Sequence, residues 1–346
     1  MIDLYSDTKT KPTAAMRAAM AAAEVGDDHF GEDPSVQALQ DFLADKLGKE
    51  AALFLPSATM ANQLAVKLHT QLGDAVICHD LCHIRLFEGG LPAVLSGVSL
   101  DSVTGERGVF TGAQVREALR PKGRYFPPTR LVCVENTHNF CGGTVWSAEE
   151  LDDVVTAARD ADLGLHLDGS RLFNAAVKLG GVEGAWPMAA RLSRDFDTVT
   201  ICLTKGLGAP IGALLLGAHE QVEAARRWKH SLGGAMRQSG IVAAGGLHAL
   251  QHHLPLLAAD HDNAQRLAQG LAEIPGVALD PWPTTNLVFA NVTGTGLSGD
   301  EARQRLRAVG VLSSGTGKRV RFVTHLDIGP DQISEAVAAA REAWRA

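Results

Sequence analysis

The chain has 346 residues, of which 46% are hydrophobic, so it can form one large domain with a smaller one, or two domains. Its net charge of −7 excludes the basic surface that binding to nucleic acid or anionic lipid requires. The five cysteines are odd in number and several lie in apolar runs, which predicts buried, reduced thiols in a cytoplasmic protein. We expect no membrane span and no signal peptide, because no apolar run has the length or position of either.

The first 32 residues are predicted to form an arm that contains a short helix at Thr13–Ala23. Asp33 and Pro34 then mark a helix start, because aspartate suits the N-cap and proline suits the first helical position. A short strand at residues 51–55 and a helix over residues 56–73 come next. The apolar spacing of the helix that starts at Pro34 predicts a buried stripe at Val36, Leu39, Leu43 and Leu47.

Beyond residue 74 the pattern alternates between strands and helices. Strands are predicted at Ala75–Cys78, Pro92–Gly97, Leu131–Glu135, Thr198–Leu203 and Ile211–Leu216. Helices are predicted at Ala113–Leu119, Ser147–Asp162 and, with a glycine-rich interruption, Ala218–Leu254. This alternation favours an α/β fold in which helices cover both faces of a parallel or mixed sheet.

The pattern changes again near residue 261 and predicts a small α+β domain. Its predicted elements are helices at Asn263–Ile274 and Gly299–Val309, strands at Asn286–Val292 and Arg319–Thr324, and an amphipathic terminal helix. We therefore divide the chain into an N-terminal arm of residues 1–32, a large domain of residues 33–255 and a small domain of residues 256–346.

Two predicted strand ends carry side chains with a shared chemistry. Lys205 follows a buried strand and precedes Gly206, and partial desolvation there makes a lysine amine nucleophilic. Asp168 ends an upstream strand. An aspartate for the pyridinium nitrogen and a lysine for the aldehyde carbon are the pair that binds pyridoxal 5'-phosphate (PLP). The two strand ends together predict a PLP site.

Three other segments offer side chains for such a site. The turn Ser57-Ala58-Thr59 precedes a helix whose free N–H groups suit a phosphate, although an ordinary helix cap has the same sequence. His83 follows a strand and either stacks on an aromatic cofactor ring or is a hydrogen-bonded loop histidine. His138 lies in the polar loop after another strand and has the same two interpretations.

Two other classes of site are disfavoured. The segment from Gly294 to Gly299 has the glycine spacing of a dinucleotide fingerprint, but Lys318 and Arg319 stand where its acidic residue belongs. A nicotinamide-dependent oxidoreductase is therefore a poor interpretation. We also predict no metal site, because the chain has neither a Cys-x-x-Cys nor a His-Glu-x-x-His motif.

Taken together, these segments resemble the low-specificity L-threonine aldolases, which belong to the PLP-dependent fold-type-I, or aspartate aminotransferase-like, superfamily. The resemblance runs nearly end to end. It is carried by Ser6-Asp-Thr8, Gly31-Glu-Asp-Pro34, Thr59-Met-Ala-Asn-Gln63, Glu135-Asn-Thr-His-Asn139, His166-Leu-Asp168-Gly169, Lys205-Gly-Leu-Gly-Ala-Pro210, Met236-Arg-Gln238, Asp260-His261, Thr285-Asn286 and Thr324-His325.

The resemblance implies a role for each candidate residue. Lys205 would hold PLP covalently, Asp168 would pair with its ring nitrogen and His83 would stack on the ring. The phosphate would be held by Ser57, Ala58, Thr59 and Arg237, the last from a neighbouring subunit. The substrate carboxylate would be bound by Ser6, Arg171, which also belongs to the cofactor site, and Arg321, while His83, His138 or a phosphate-bound water would take the proton of the β-hydroxyl. The family also implies a homotetramer built from dimers, with sites at the dimer interface.

The sequence departs from the family pattern at Ala58, Ser170, Phe30, Phe87 and Lys229-His230. Phe87 stands where a tyrosine is common, so we expect relaxed discrimination between threonine and allo-threonine and tolerance of larger substrates such as phenylserine. The alternatives are another PLP reaction, β-elimination or racemisation, and a non-catalytic homologue. The presence of both Lys205 and Asp168 argues against the last.

Overall fold

The computed structural model describes residues 1–345. Its strands are β1 (Ile2–Asp3), β2 (Ala51–Leu55), β3 (Ala75–His79), β4 (Ser99–Val103), β5 (Thr129–Glu135), β6 (Gly164–Gly169), β7 (Thr198–Cys202), β8 (Ala213–Gly217), β9 (Ala278–Leu279), β10 (Leu287–Asn291), β11 (Val311–Leu312) and β12 (Arg319–Val323). Its α-helices are α1 (Ala14–Ala21), α2 (Pro34–Leu47), α3 (Ala58–His69), α4 (His83–Leu86), α5 (Gly112–Ala118), α6 (Ala148–Asp160), α7 (Leu172–Gly180), α8 (Ala185–Ser193), α9 (His219–Ser231), α10 (Gly240–His252), α11 (Leu254–Ala272), α12 (Gly299–Ala308) and α13 (Pro330–Ala343).

A seven-stranded sheet in the order β2-β8-β7-β6-β5-β3-β4 organises the molecule. The pairs from β7 to β4 are parallel, whereas β8 is antiparallel to both β7 and β2. Strand β2 therefore points the same way as the central strands. Six strands thus end at one edge of the sheet, and in an open α/β sheet that edge carries the ligand site. The predicted α/β class with a mostly parallel sheet is confirmed.

The sheet and the C-terminal region each have their own large apolar core. The larger core joins the sheet to α2, α6, α7, α8 and α10. The smaller core joins α11, α12 and α13 to the antiparallel strands β10 and β12 and includes Ile2 and Leu4 of the N-terminal segment. Helix α11 contributes Leu257 to the first core and Leu267 to the second. Within residues 1–345 no helix combines the length and apolar composition needed to cross a bilayer.

Several predicted elements are confirmed at their residues. Asp33 is the N-cap of α2, with Pro34 at the first helical position, and all four residues of the predicted stripe are buried. The strand at 51–55, the capping box at Ser147 and the interruption between α9 and α10 are also confirmed.

Two predicted elements are wrong. Residues Pro92–Ser96 form one helical turn of the π type instead of a strand, because Gly90 and Gly97 flank it with positive φ and turn the chain at both ends. The strand beside β3 follows at Ser99–Val103. The helix predicted to begin at Asn263 begins at Leu254, with Pro255 in its first turn. The predicted boundary after residue 255 therefore falls within a continuous helix, and the division into an arm and two domains stays a prediction.

Candidate active site

Four adjacent parallel strands deliver the candidate residues to one edge. His83 follows β3, Glu135 ends β5, Asp168 lies near the end of β6 and Lys205 follows β7 by three residues. The register pairs Glu135 with Asp168 and Asp168 with Thr200. The sequence predicted that Asp168 and Lys205 lie close together, and the parallel pairing of β6 with β7 accounts for it.

Asp168 is a buried carboxylate, with only 2% of its surface exposed. Its Oδ2 accepts a hydrogen bond from Asn62 Nδ2 at 2.9 Å, and its Oδ1 accepts one from the Ser170 amide at 3.1 Å. Burial raises the pKa of Asp168, but the charges of Lys205 and His83 and the Ser170 hydrogen bond lower it by more. Asp168 is therefore an anion poised to face a cationic partner.

His83 is held by a second carboxylate. Its Nδ1 lies 2.9 Å from Oε1 of the buried Glu88, which also accepts hydrogen bonds from Asn62 and Gln63. Its backbone N–H donates to Glu135 Oε2 at 2.7 Å. Burial lowers the pKa of His83, but the Glu88 hydrogen bond and the charges of Asp168 and Glu88 raise it above its ordinary value.

The two arginines of the predicted carboxylate clamp differ in their partners. Arg171 donates to both oxygens of the buried Asp7 at 2.7 Å, so its charge is already neutralised. Arg321 donates only to neutral acceptors, the closest being Asn139 Oδ1 at 2.8 Å, and its buried Nε has no partner among residues 1–345. Burial and the nearby Arg171 charge lower the pKa of Arg321 to about 10. Arg321 is thus a half-buried cation with no carboxylate among its hydrogen-bond partners in the described part of the chain.

The predicted phosphate cradle is the N-terminus of α3. Ser57 is its N-cap, with Oγ accepting from the Met60 amide at 3.2 Å, and Ala58 and Thr59 occupy the first helical positions. The loop before α10 approaches this point, since a Cβ on Gly234 would lie 2.6 Å from Met60 Sδ. In that loop Arg237 is exposed and donates to Asp27 Oδ2 of the same chain at 2.9 Å.

Two other predicted residues lie close to this network. His138 is fully buried, with its ring 4.6 Å from the ring of His79 in an edge-on arrangement, and burial lowers the pKa of His138. Phe87 follows the single turn of α4, and its ring lies 5.7 Å from His83 and stacks on Phe140 at 4.4 Å. The ring of Phe87 therefore lies beside that of His83.

Sequence reasoning missed the residues that support these groups. Asp7, Glu88 and Asn139 carried no assigned role, although Asp7 and Asn139 lie in segments that resemble the family. Asp7 faces Arg171 across 164 positions of the chain, a pairing that no local pattern predicts. Glu88 could have been found as the charged residue five positions beyond a candidate histidine.

Comparison with known proteins adds the family to this geometry. The profile of the beta-eliminating lyase family matches residues 3–295. The low specificity L-threonine aldolase of Escherichia coli O157:H7 is 40% identical over 100% of this chain and 99% of its own. The chain belongs to the low-specificity L-threonine aldolase family. The Arabidopsis thaliana low-specificity L-threonine aldolase 1 is 39% identical over 99% of this chain and 96% of its own.

The solved structures agree with this membership at the level of the fold. A Leishmania major threonine aldolase structure has a TM-score of 0.83 at 20% identity and covers 99% of this chain and 100% of its own. Membership of the threonine aldolase family confirms the resemblance read from the motifs, and the structural likeness confirms the fold class.

Proposed function

We propose that this chain is a PLP-dependent aldolase that cleaves L-threonine, L-allo-threonine and related β-hydroxy-α-amino acids, such as phenylserine, to glycine and an aldehyde. The main support is the geometry at the sheet edge: the buried Asp168 lies near the end of β6, Lys205 follows the adjacent parallel strand β7, and donor atoms of His83 and Asp168 lie within 4.8 Å of each other. This arrangement occurs in a chain that is 40% identical to a low specificity L-threonine aldolase over its full length.

The residues at the sheet edge suit PLP. Asp168 offers a buried anionic carboxylate for the ring nitrogen, Lys205 offers its amine for the aldehyde, and the free N–H groups at the start of α3 offer donors for the phosphate. His83 would pack on the ring. When bound, PLP supplies the electron sink that makes a bond to Cα of an amino acid breakable.

The substrate carboxylate would bind Arg321. Its guanidinium lacks an anionic partner, and arginine holds carboxylates in a fixed bidentate geometry. Ser6 Oγ accepts from the amide and the hydroxyl of Thr8, so its own proton is free to donate to the same carboxylate. Arg171 already donates hydrogen bonds to both carboxylate oxygens of Asp7, so its main role would be to hold Asp7 in position. Fixing the carboxylate selects which bond of Cα is broken.

His83 would take the proton of the β-hydroxyl. Cleavage of the Cα–Cβ bond forms a carbonyl at Cβ, so the hydroxyl proton must leave as the bond breaks. Glu88 holds the Nδ1–H of His83, which leaves Nε2 as the acceptor. His138 is less suited, because its fully buried ring packs against His79. The glycine Cα then receives a proton in place of the lost carbon.

β-Elimination is the competing reaction, because the matching profile is that of the beta-eliminating lyases. Elimination from threonine releases ammonia and a 2-oxoacid, whereas aldol cleavage releases glycine and acetaldehyde. The test is to incubate the purified PLP-loaded enzyme with L-threonine and to quantify all four products. Racemisation would instead yield a D-amino acid with no small products. We expect glycine and acetaldehyde in equal amounts.

Lys205→Ala provides the matching negative variant. It removes the amine that anchors the cofactor and releases product, so turnover should be lost. Lys46→Ala, which alters a lysine of α2 in another part of the chain, is the control and should retain wild-type activity. Wild-type turnover by purified Lys205→Ala would refute the assignment of Lys205.

We further propose a homotetramer built from dimers, with Arg237 completing the phosphate site of the neighbouring subunit. Arg237 is exposed and its guanidinium lies 5.8 Å from the ring centroid of Phe30, which is itself 70% exposed. Association of two chains at this surface would cover both.

A further inference from the structure

A second group of ligand-type side chains lies at the ends of β3 and β5, next to the strand ends that deliver His83 and Glu135. His79 ends β3, and His138 and Cys141 lie in the loop after β5. One donor atom of each lies within 4.8 Å of the others. All three side chains are buried, with exposed fractions of 3%, 0% and 9%.

In the part of the chain that the structure describes, the imidazole nitrogens of His138 in this cluster are unpaired. Both of its ring nitrogens are buried and have no hydrogen-bond partner within residues 1–345. An imidazole always presents at least one N–H donor, and leaving that donor unpaired in a protein interior is destabilising. Gly108 closes the other side of the ring, since a Cβ there would lie 2.5 Å from His138 Cγ. The fold thus holds an unsatisfied imidazole against His79 and Cys141.

A neighbouring carboxylate, that of Asp80, contacts one histidine of this cluster. Asp80 Oδ1 is buried without a hydrogen bond and lies 3.1 Å from His79 Nδ1. His79 Nε2 faces the carbonyl oxygen of Gly105 at 3.3 Å. That contact is the outer-shell arrangement typical of metal-binding histidines, in which one ring nitrogen donates to a carbonyl and the other binds the ion. An ion at Nδ1 would replace the Leu81 amide, now 3.1 Å away.

We propose that His79, His138 and Cys141 bind a zinc ion, with the Asp80 carboxylate as its fourth ligand. Two imidazoles and one thiolate are a ligand set that Zn²⁺ favours over calcium or magnesium. Tetrahedral zinc separates such donors by about 3.5 Å, so the three side chains need to approach by only about 1 Å. On binding, the Cys141 thiol releases its proton to solvent and forms the Zn–S bond, with no change of oxidation state.

The ion would brace a loop that serves the catalytic edge. Between His138 and Cys141 lies Asn139, whose amide donates to Glu135 Oε1 at 2.8 Å and whose Oδ1 accepts from Arg321. Fixing His138 and Cys141 to β3 would therefore hold Asn139 in place. The role we assign to zinc is structural, and it does not depend on the reaction that the enzyme catalyses.

The test measures zinc binding to the PLP-loaded enzyme. The protein is freed of metal with a chelator and dialysed against Zn²⁺, and bound zinc per chain is measured by elemental analysis together with the melting temperature. We expect one zinc per chain and a zinc-dependent rise in melting temperature. Cys141→Ser and His79→Gln should each weaken binding by at least about 100-fold, because even loss of an outer-shell partner weakens it 10–100-fold.

Cys202→Ser is the control, because it removes a buried thiol outside the cluster and should bind zinc like the wild type. Circular dichroism separates a folding failure from a lost site, and having two ligand variants keeps the test decisive if one misfolds. A wild type that binds no zinc would overturn the proposal. So would equal binding by wild type and Cys141→Ser, since that ion would lie elsewhere, for instance at His83, Glu88 and Asp168, whose donor atoms also lie within 4.8 Å of one another.

Discussion

At the scale of single residues, the charge on Asp168 is set by its surroundings. A carboxylate that is 2% exposed would take up a proton in an apolar site, yet Lys205, His83 and the Ser170 amide keep it ionised. The charge on Asp168 therefore depends on three different segments of the chain. A side chain prepared in this way is suited to holding a protonated ring nitrogen.

Asp168→Asn should lower kcat by at least about 100-fold while PLP stays bound, because the amide keeps the shape but not the charge that favours a protonated ring. Cofactor content after alkaline release and steady-state kinetics measure the two effects separately. Asp160→Asn, at an exposed position of α6, should behave like the wild type. Activity of Asp168→Asn within a few-fold of wild type would contradict the role.

Glu88→Gln tests the proton acceptor through pH. The Glu88 carboxylate raises the pKa of His83, so a neutral glutamine amide in its place should lower that pKa. Since only unprotonated His83 can accept the hydroxyl proton, the acid limb of the profile of kcat/KM against pH should move to lower pH. The new amide has a partner available, because Gln63 Oε1 is buried without a hydrogen bond. An acid limb that does not move would assign the base to another group.

Phe87→Tyr tests specificity. A phenol beside His83 could donate to the β-hydroxyl or to a water, whereas the present phenylalanine favours apolar β-substituents. We expect the variant to discriminate more strongly between threonine and allo-threonine and to lose preference for phenylserine. The measurement is kcat/KM for all three substrates. The same ranking in both proteins would mean that Phe87 only packs against Phe140.

At the scale of elements, one side chain starts two helices. Asp33 Oδ1 accepts from the amides of Ser35 and Val36 at the start of α2, and its Oδ2 accepts from the amide of Gly240 at the start of α10. Local sequence predicts the first interaction but not the second, which joins residues 207 positions apart.

Asp33→Ala should therefore reduce the free energy of unfolding by about 2–4 kcal/mol, the sum of a lost N-cap and an unpaired buried amide. Thr13→Ala removes the cap of α1 alone and should cost only about 1 kcal/mol. Urea unfolding followed by two spectroscopic probes measures both. An Asp33→Ala effect no larger than that of Thr13→Ala would mean that the bond to Gly240 contributes nothing.

The limits of prediction also lie at this scale. Strands β2, β3, β5, β6 and β7 were predictable because each is a short apolar run before a polar turn. The turn at Pro92–Ser96 was mistaken for a strand because a five-residue apolar run has no periodicity to distinguish the two. Lys205 and Asp168 were found because strand ends are local features. The partners of Arg171 and Arg321 were not predictable, because they depend on packing between distant segments.

At the scale of the whole molecule, the N-terminal segment belongs to both cores. Ile2 pairs with Val311 in a parallel bridge, Asp7 contacts Arg171, and the buried Asp28 accepts from Lys229 Nζ at 2.6 Å. The segment thus links the C-terminal sheet, the candidate site and helix α9. Asp27, in this same N-terminal segment, accepts a hydrogen bond from Arg237 at the surface that we propose for association.

Hybrid assembly tests whether Arg237 acts across subunits. Arg237→Ala and Lys205→Ala should each be inactive when assayed without added PLP. The two variants are mixed in equal amounts and allowed to co-assemble at random, so half of the dimers are hybrids. If Arg237 serves the neighbouring site, each hybrid has one complete site out of two, and about a quarter of wild-type activity should be restored. Light scattering reports whether the particles contain four chains. No restoration would place Arg237 in its own subunit's site.

The pairing of β1 with β11 has a consequence for synthesis on the ribosome. Ile2 finds its partner Val311 only after 309 further residues have been made, which takes on the order of 15 s to a minute at 5–20 residues per second. Until then the first strand of the nascent chain is an unpaired edge open to chaperones. Asp7 and Arg171 can meet earlier than either can meet Arg321, so the proposed binding site for the substrate carboxylate is completed only after residue 321 has been made.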